Sequence, residues 1–449
     1  MSYSKRVVIV GAGVSGLAAA TELASRGVRV TVLEQKPSAG GRASSFRDTM
    51  TGEIVDNGQH VLIAGYKRTR FFLRRIGTEH LLRIQKTPSL LFHHPQRGFL
   101  TLDIPPLPRP LHLAAAATTS SLFRGSDRLK FMRAGVSFLT GNKPESTATI
   151  SQWLKSKGQS TELIRSFWEP LAIAIMNETI ERASAVSFVR SMQSAFMDSW
   201  QSSALAIPTV GLSELYVNGA ESYIRARGGE LRTGCDVSGL VVNASRATKV
   251  FVKDDEPVEA SAVILAVPWH RLSSLLPDEM MRVSYGALSG FESSPIVSVH
   301  LWFENDFMPH DVVGIIGRTV QWIFNKRRIM SSTGKGGHVS AVISGGHEEV
   351  GMTNEELIQI ALKDLRSVYP SCPETTHAIV IREKRATLSL TPAVEQFRPA
   401  QTTSIHNLFL AGDYTRTGLP CTIEGAVVSG ERCARLVVTL GIEGTREMM

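Results

Sequence analysis

Five residues in a row, Asp56, Asn57, Gly58, Gln59 and His60, interrupt two apolar runs in the stretch EIVDNGQHVLIAGY. An acid, an amide and an imidazole this close together form a set able to hold and move a proton. Histidine carries a transferable proton near neutral pH better than any other side chain. Near the start of the chain, Gly11, Gly13 and Gly16 give the spacing GxGxxG, and Glu34 follows. That pattern suits a dinucleotide. Gly11 allows a tight turn, Gly13 lets the backbone approach a pyrophosphate, and Gly16 lets helix and strand pack closely. A carboxylate at the end of the next strand can accept the ribose hydroxyls.

These groups need elements to position them. Val7 to Val10 is a short, wholly apolar run, as expected of a central parallel strand. The segment SGLAAATELASRG, opening at Ser15, predicts a helix that ends at Gly27. Its N-terminus would present free N–H groups and a positive dipole end to phosphate. VRVTVL alternates as a second strand that Glu34 closes.

The motif SAGGRAS adds Gly40, Gly41 and Arg42 just after that strand. It resembles the extended FAD signature of the glutathione-reductase-like flavoproteins, especially the amine oxidase and phytoene desaturase group. The resemblance implies FAD as cofactor, with Gly41 and Arg42 along the pyrophosphate. A guanidinium there makes a charge-assisted phosphate contact. The far end, HNLFLAGDYTRTGLPCTIEGAVVSGERCARLVV, resembles the same group. This implies that a strand stops at Gly412 and Asp413, the acid meeting the ribityl–phosphate region. It also implies that Thr422, Ile423 and Glu424 open a helix beside the flavin ring. Between the ends, GGELRTGCDVSGLVV, KVFVKD and SAVILAVPWHRLSSLLP read as short strands and turns. The resemblance sets Val237 against the adenine.

The expected fold is α/β: a Rossmann-like FAD-binding domain of glutathione-reductase type with inserted substrate parts. The cofactor domain is discontinuous, over 1–95, 205–290 and 395–449. Residues 96–204 read as a mainly helical, substrate- or membrane-facing insertion. Within it, RGSDRLKFMRAGVSFL mixes Arg128, Lys130 and Arg133 with Leu129, Phe131, Met132 and Val136. That pattern suits either an amphipathic helix on an anionic membrane or a solvated helix with one core face. Residues 291–394 read as a mixed-sheet substrate domain. Its strands are SPIVSVHLWF, GHVSAVISGG and HAIVIREKRATLSL, and its helix NEELIQIALKDLRSVYP stops at Pro370.

Composition excludes other classes. With 449 residues, 43% hydrophobic and 20% charged, the chain is ordinary globular protein of two or three domains. The net charge of +8 is spread out, and aromatics are only 7%, so no basic stacking surface for nucleic acid emerges. Cys235, Cys372, Cys421 and Cys433 form no CxxC pair and read as inert thiols, with no metal set. GGHEEVG lacks the second histidine of a zinc protease, and His93 and His94 read as surface residues without a carboxylate nearby. The start MSYSKRVVIVGAG is not a signal peptide, and no apolar run is long enough to span a bilayer. A cytoplasmic protein, or one peripheral on the inner face of the cell membrane, is expected.

Two stretches narrow the reading. DNGQHVLIAGY and FWEPLAIAIMNETIERASA resemble the squalene-associated FAD enzymes, the hydroxysqualene dehydroxylases. The resemblance implies a lipophilic isoprenoid substrate and reductive loss of its hydroxyl, which yields squalene for hopanoid synthesis. Hydroxide leaves poorly, so the reaction needs an acid. Asp56 and His60 are the candidates, with Glu169 in reserve. In the plainer alternative, Asp56, Gln59 and His60 only hold the flavin beside Gly58. Rival functions are a carotenoid desaturase or amine oxidase on the same fold, and a non-catalytic escort of prenylated proteins. Neither the electron donor nor the oligomeric state is legible.

Overall fold

The structure is a computed structural model that describes residues 6–139, 143–196, 198–330 and 336–442. Residues 1–5, part of the start read as lacking a signal peptide, lie outside them. The apolar run near the start forms the strand Arg6–Val10, central in a five-stranded parallel sheet. Its neighbours are Arg29–Leu33 on one side and Ala262–Leu265 on the other, with Glu230–Arg232 and Leu408–Leu410 at the edges. The strands therefore come from widely separated parts of the chain. Val7 and Ile9 pack in a cluster with Leu17 and Ala18 of the helix Val14–Ser25 and Val427 and Ala434 of the helix Ile423–Leu436. Val8 and Val10 point the other way, into a cluster with Val250 and Val252. Burial on both faces is why this strand is wholly apolar rather than alternating. The first helix stops as its sequence predicts, with Gly27 at φ +75°.

A seven-stranded sheet forms the second layer. Its order is Thr375–Leu388, Ser293–Phe303, Gly337–Ser344, Trp322–Asn325, Val312–Ile315, Ser89–His94 and Gly98–Asp103. Side chains alternate across it. Val297, Val299 and Leu301 pack outward against Leu357, Ala361 and Leu365 of the helix Asn354–Val368. The opposite, inner face carries Ser298, His300 and Trp302. Trp322, Phe324 and Val342 share an apolar cluster with Phe131, Phe167 and Trp168 of the helical insertion.

Between Leu111 and Phe196 the described part of the insertion is mainly helical, but two of its boundaries differ from the sequence reading. The hairpin of Ser89–His94 and Gly98–Asp103 straddles the division drawn at residue 95 and belongs to the seven-stranded sheet. Phe92, Leu100 and Leu102 are buried there, and a histidine pair and a proline disguise the alternation. Leu205–Pro208 pairs with Leu62–Ile63 and Leu82–Ile84, stitching the end of the insertion to the cofactor side. His94 is a further correction. It is buried, with Glu162 Oε1 at 3.3 Å from Nε2, a carboxylate too distant in sequence to be foreseen.

Candidate functional site

The glycine motif forms a cradle at the end of the first strand. A Cβ on Gly16 would lie 2.0 Å from the Gly11 carbonyl oxygen, so the turn closes only with glycine at that position. A Cβ on Gly13 would meet nothing within 4 Å, which leaves its backbone facing open space. Gly41 packs against Gly13, its Cβ position 3.3 Å from the Gly13 Cα. Ser15 is buried at the first turn of the helix, and its hydroxyl has no hydrogen-bond partner. Glu34 accepts the Ala12 amide at 2.7 Å and the Lys36 amide at 3.0 Å, one on each carboxylate oxygen. Each oxygen keeps a lone pair for another donor. The Glu34 carbonyl takes the Cys235 amide at 2.8 Å, which brings buried Val237 to the same end of the sheet.

Arg42 joins three distant segments. It donates to the Ala386 carbonyl at 2.6 Å and to Asp413 Oδ1 at 2.8 Å, while its side chain stays 37% exposed. The Gly412 amide donates to Ser429 Oγ at 3.0 Å on the last helix. Thr422 caps that helix, its hydroxyl accepting the Gly425 amide at 3.3 Å, and Ile423 is the first helical residue. Glu424 turns away from this end. It caps the helix Lys67–Arg75, accepting the amides of Arg68 and Thr69 and the Thr69 hydroxyl. The open glycine cradle, the unpartnered Ser15 hydroxyl and the spare acceptors of Glu34 all fit a dinucleotide.

The Asp56–His60 stretch is a tight turn after the strand Ile54–Asp56. Gly58 sits at φ +93° and donates its amide to the Asp56 carbonyl at 2.7 Å. Asn57 donates to Glu383 at 3.0 Å. Asp56 accepts the Ser45 hydroxyl at 2.7 Å and the Leu212 amide at 3.0 Å on Oδ1, and Lys326 Nζ at 3.0 Å on Oδ2. Lys326 also donates to Gln59 Oε1 at 2.8 Å. Both members of the Asp56–Lys326 pair have side chains only 2% exposed. His60 is half-buried. Its Nδ1 donates to the Gly58 carbonyl at 3.0 Å, and burial pulls the imidazole below its ordinary range. Its Nε2 makes no hydrogen bond to any described residue.

Glu169 stands apart. It begins the helix Glu169–Met176, where burial first and Glu181 second raise its carboxyl, against the pull of Arg165. No hydrogen bond or ion pair ties it to Asp56, His60 or Lys326 among the described residues. Lys326 was missed. In the sequence it opens the run KRR, which reads as a solvated cluster. Among the described residues no group of three His, Cys, Asp or Glu could hold a metal ion, and all four cysteines are free. No helix among them is long and apolar enough to cross a membrane.

A parallel sheet built from separated pieces, with a glycine cradle and a buried acid at the end of the second strand, is the frame of a dinucleotide-binding flavoprotein, and the family match makes the chain an FAD-dependent oxidoreductase. The chain belongs to the flavin-containing amine oxidoreductase family, whose sequence model matches residues 14–438. It is 30% identical to the hydroxysqualene dehydroxylase of Sinorhizobium fredii, across 97% of this chain and 99% of that one. The 15-cis-phytoene desaturase of Synechococcus elongatus is 23% identical, across 96% of both chains. An oxidoreductase of known structure from Methanosarcina mazei superposes with a TM-score of 0.75 at 18% identity, covering 96% of this chain and all of that one. That likeness shows the fold.

Proposed function

We propose that the chain catalyses the reductive dehydroxylation of hydroxysqualene to squalene, on the route to hopanoids. The observation that carries this reading is the end-to-end similarity to a hydroxysqualene dehydroxylase, stronger than the match to the desaturase. FAD, when bound and reduced, would supply hydride chemistry at the carbon that loses its hydroxyl. Gly11, Gly13, Ser15 and Gly16 would hold its pyrophosphate, with Gly41 and Arg42 alongside. Glu34 would take the ribose, Val237 the adenine, Gly412 and Asp413 the ribityl–phosphate region, and Thr422 and Ile423 the ring end. Gly58 and Gln59 would bring the turn toward the ring.

The proton for the leaving hydroxyl comes from His60. With Nδ1–H spent on the Gly58 carbonyl, the protonated ring presents its second hydrogen on the free Nε2. Asp56 takes a different part from the acid foreseen in the sequence. Its two oxygens are already occupied by a lysine, a serine hydroxyl and an amide, so it anchors Lys326 and fixes the turn. Glu169 has no part in the step. The substrate's hydrocarbon chain would lie along the inner face of the seven-stranded sheet, beside Ile379 and Ile381.

The protein works in the cytoplasm and meets its oily substrate at the membrane surface. The helical insertion supports this, exposing Leu129 in the same segment as exposed Arg124, Arg128 and Arg133.

The test is direct. The purified protein is reduced anaerobically and mixed with hydroxysqualene. Return of the oxidised flavin bands with squalene formed is the expected result. Bands that stay bleached without squalene refute the reading. A desaturase would instead bleach the oxidised flavin with phytoene.

A further inference from the structure

The inner face of the seven-stranded sheet carries one patch of buried polar groups that no other described group satisfies. Ser298 and His300 are neighbours on this face of the strand Ser293–Phe303, and Ser340 lies directly opposite His300 on the adjacent strand. All three are buried, at 1%, 0% and 0% exposure. The Ser298 hydroxyl, the Ser340 hydroxyl and His300 Nε2 all lack a hydrogen-bond partner. A buried polar group left unpaired is costly, so such groups are normally satisfied. Three on one patch mark a place built for a polar ligand group. The patch adjoins the proposed site, since Ser298 Oγ lies 3.9 Å from the position a Gly58 Cβ would take. Ile379 lies beside His300 and Ile381 beside Ser298 on this face.

The hydrogen-bonding sense of the histidine is set from outside. Burial alone would raise Glu53, but hydrogen bonds from His338, Arg327 and Trp302 outweigh it and bring its carboxyl down to about 2. It is therefore ionised and only accepts. His338 Nδ1, 3.0 Å from Glu53 Oε2, must carry hydrogen. Burial holds the His338 ring below the ordinary range, against the pull of Glu53, and so keeps it neutral. Its Nε2 is then an acceptor and takes the Nδ1 hydrogen of His300 at 3.1 Å. Burial first, with the Lys326 charge adding to it, holds His300 well below its ordinary range. His300 Nε2 is left with a bare lone pair.

We propose that Ser298, His300 and Ser340 form the subsite that recognises the hydroxyl of the substrate, with His300 Nε2 accepting its hydrogen and a serine donating to its oxygen. Glu53 and His338 are positioning residues that keep His300 an acceptor. The subsite rests on the dehydroxylation reading and deepens it. It explains how the protein tells an alcohol from the hydrocarbon it becomes, because a site built to bond a hydroxyl rejects the analogue lacking it.

The test uses oxidised holoenzyme, which binds without turning over. Hydroxysqualene and squalene are titrated separately and read by perturbation of the flavin spectrum. The wild type is expected to bind the alcohol at least about tenfold more tightly, one good hydrogen bond's worth. His300→Leu is expected to bind the two alike, and Ser298→Ala and Ser340→Ala to narrow the gap. ¹⁵N-histidine NMR is expected to show His300 protonated on Nδ1, and Glu53→Gln to shift that tautomer. If His300→Leu loses FAD, the serine variants and the wild-type tautomer decide. Equal binding by the wild type, an undiminished preference in the variants that fold, or a His300 protonated on Nε2 overturns the subsite. Turnover by the reduced wild type alongside equal binding removes the subsite alone. Preferential binding without any turnover removes the dehydroxylation and leaves an alcohol site.

Discussion

Replacing Lys326 by methionine tests the centre of the proposed site. The ammonium and the Asp56 carboxylate are both nearly sealed from water and sit 3.0 Å apart. Removing one member of a buried pair strands the other, a loss of about 3–5 kcal/mol. Asp56 keeps two of its three donors, the Ser45 hydroxyl and the Leu212 amide, so the lower end, about 3 kcal/mol, is expected. Methionine fills most of the lysine's volume, which keeps a cavity from inflating that figure. The double variant Asp56→Asn/Lys326→Met has no stranded charge, and the introduced amide oxygen can still accept from Ser45 and Leu212. It should recover most of the loss, with a coupling of about 2 kcal/mol or more between the two sites. The assay is urea-induced release of FAD from the holoprotein, followed by flavin fluorescence for wild type, both singles and the double. A single variant within about 1 kcal/mol of wild type, or a double no better than the sum of the singles, would show that the pair does not hold the turn.

Three further outcomes follow from the same geometry. Glu34→Ala removes the charged acceptor at the proposed ribose position and should weaken FAD binding about tenfold to a hundredfold, measured by calorimetry on apoprotein. Because burial depresses His60 and only its imidazolium carries the transferable hydrogen, kcat/KM should be flat at low pH. Once pH rises through that lowered pKa it should fall about tenfold per unit, and His60→Gln should abolish the slope in a stopped-flow pH series. The paired change Arg128→Glu/Leu129→Glu should cut co-sedimentation with anionic vesicles and leave turnover of detergent-dispersed substrate intact; unchanged sedimentation removes this face as the membrane contact.

What could be read from the sequence was what sits within a few residues of itself. The glycine cradle, its helix and Glu34 span a single βαβ unit, so spacing alone placed them correctly in space. The last strand and helix were equally local. The long strands of the second sheet announced themselves by alternation, while the hairpin around His93 and His94 did not, since polar residues and a proline hide its period. The turn at Asp56–His60 was visible as a motif, yet its chemistry depends on Lys326, 270 positions away. A lysine leading a KRR run carries every mark of solvent exposure. It is buried because the strand Trp322–Asn325 ends just before it, and the Asn325 side chain caps the short helix Lys326–Ile329, turning its first residue inward. That inward lysine changes the reading of Asp56 from a proton donor to an anchor. It also leaves His60, whose second nitrogen is uncommitted among the described residues, as the group we propose to give the proton.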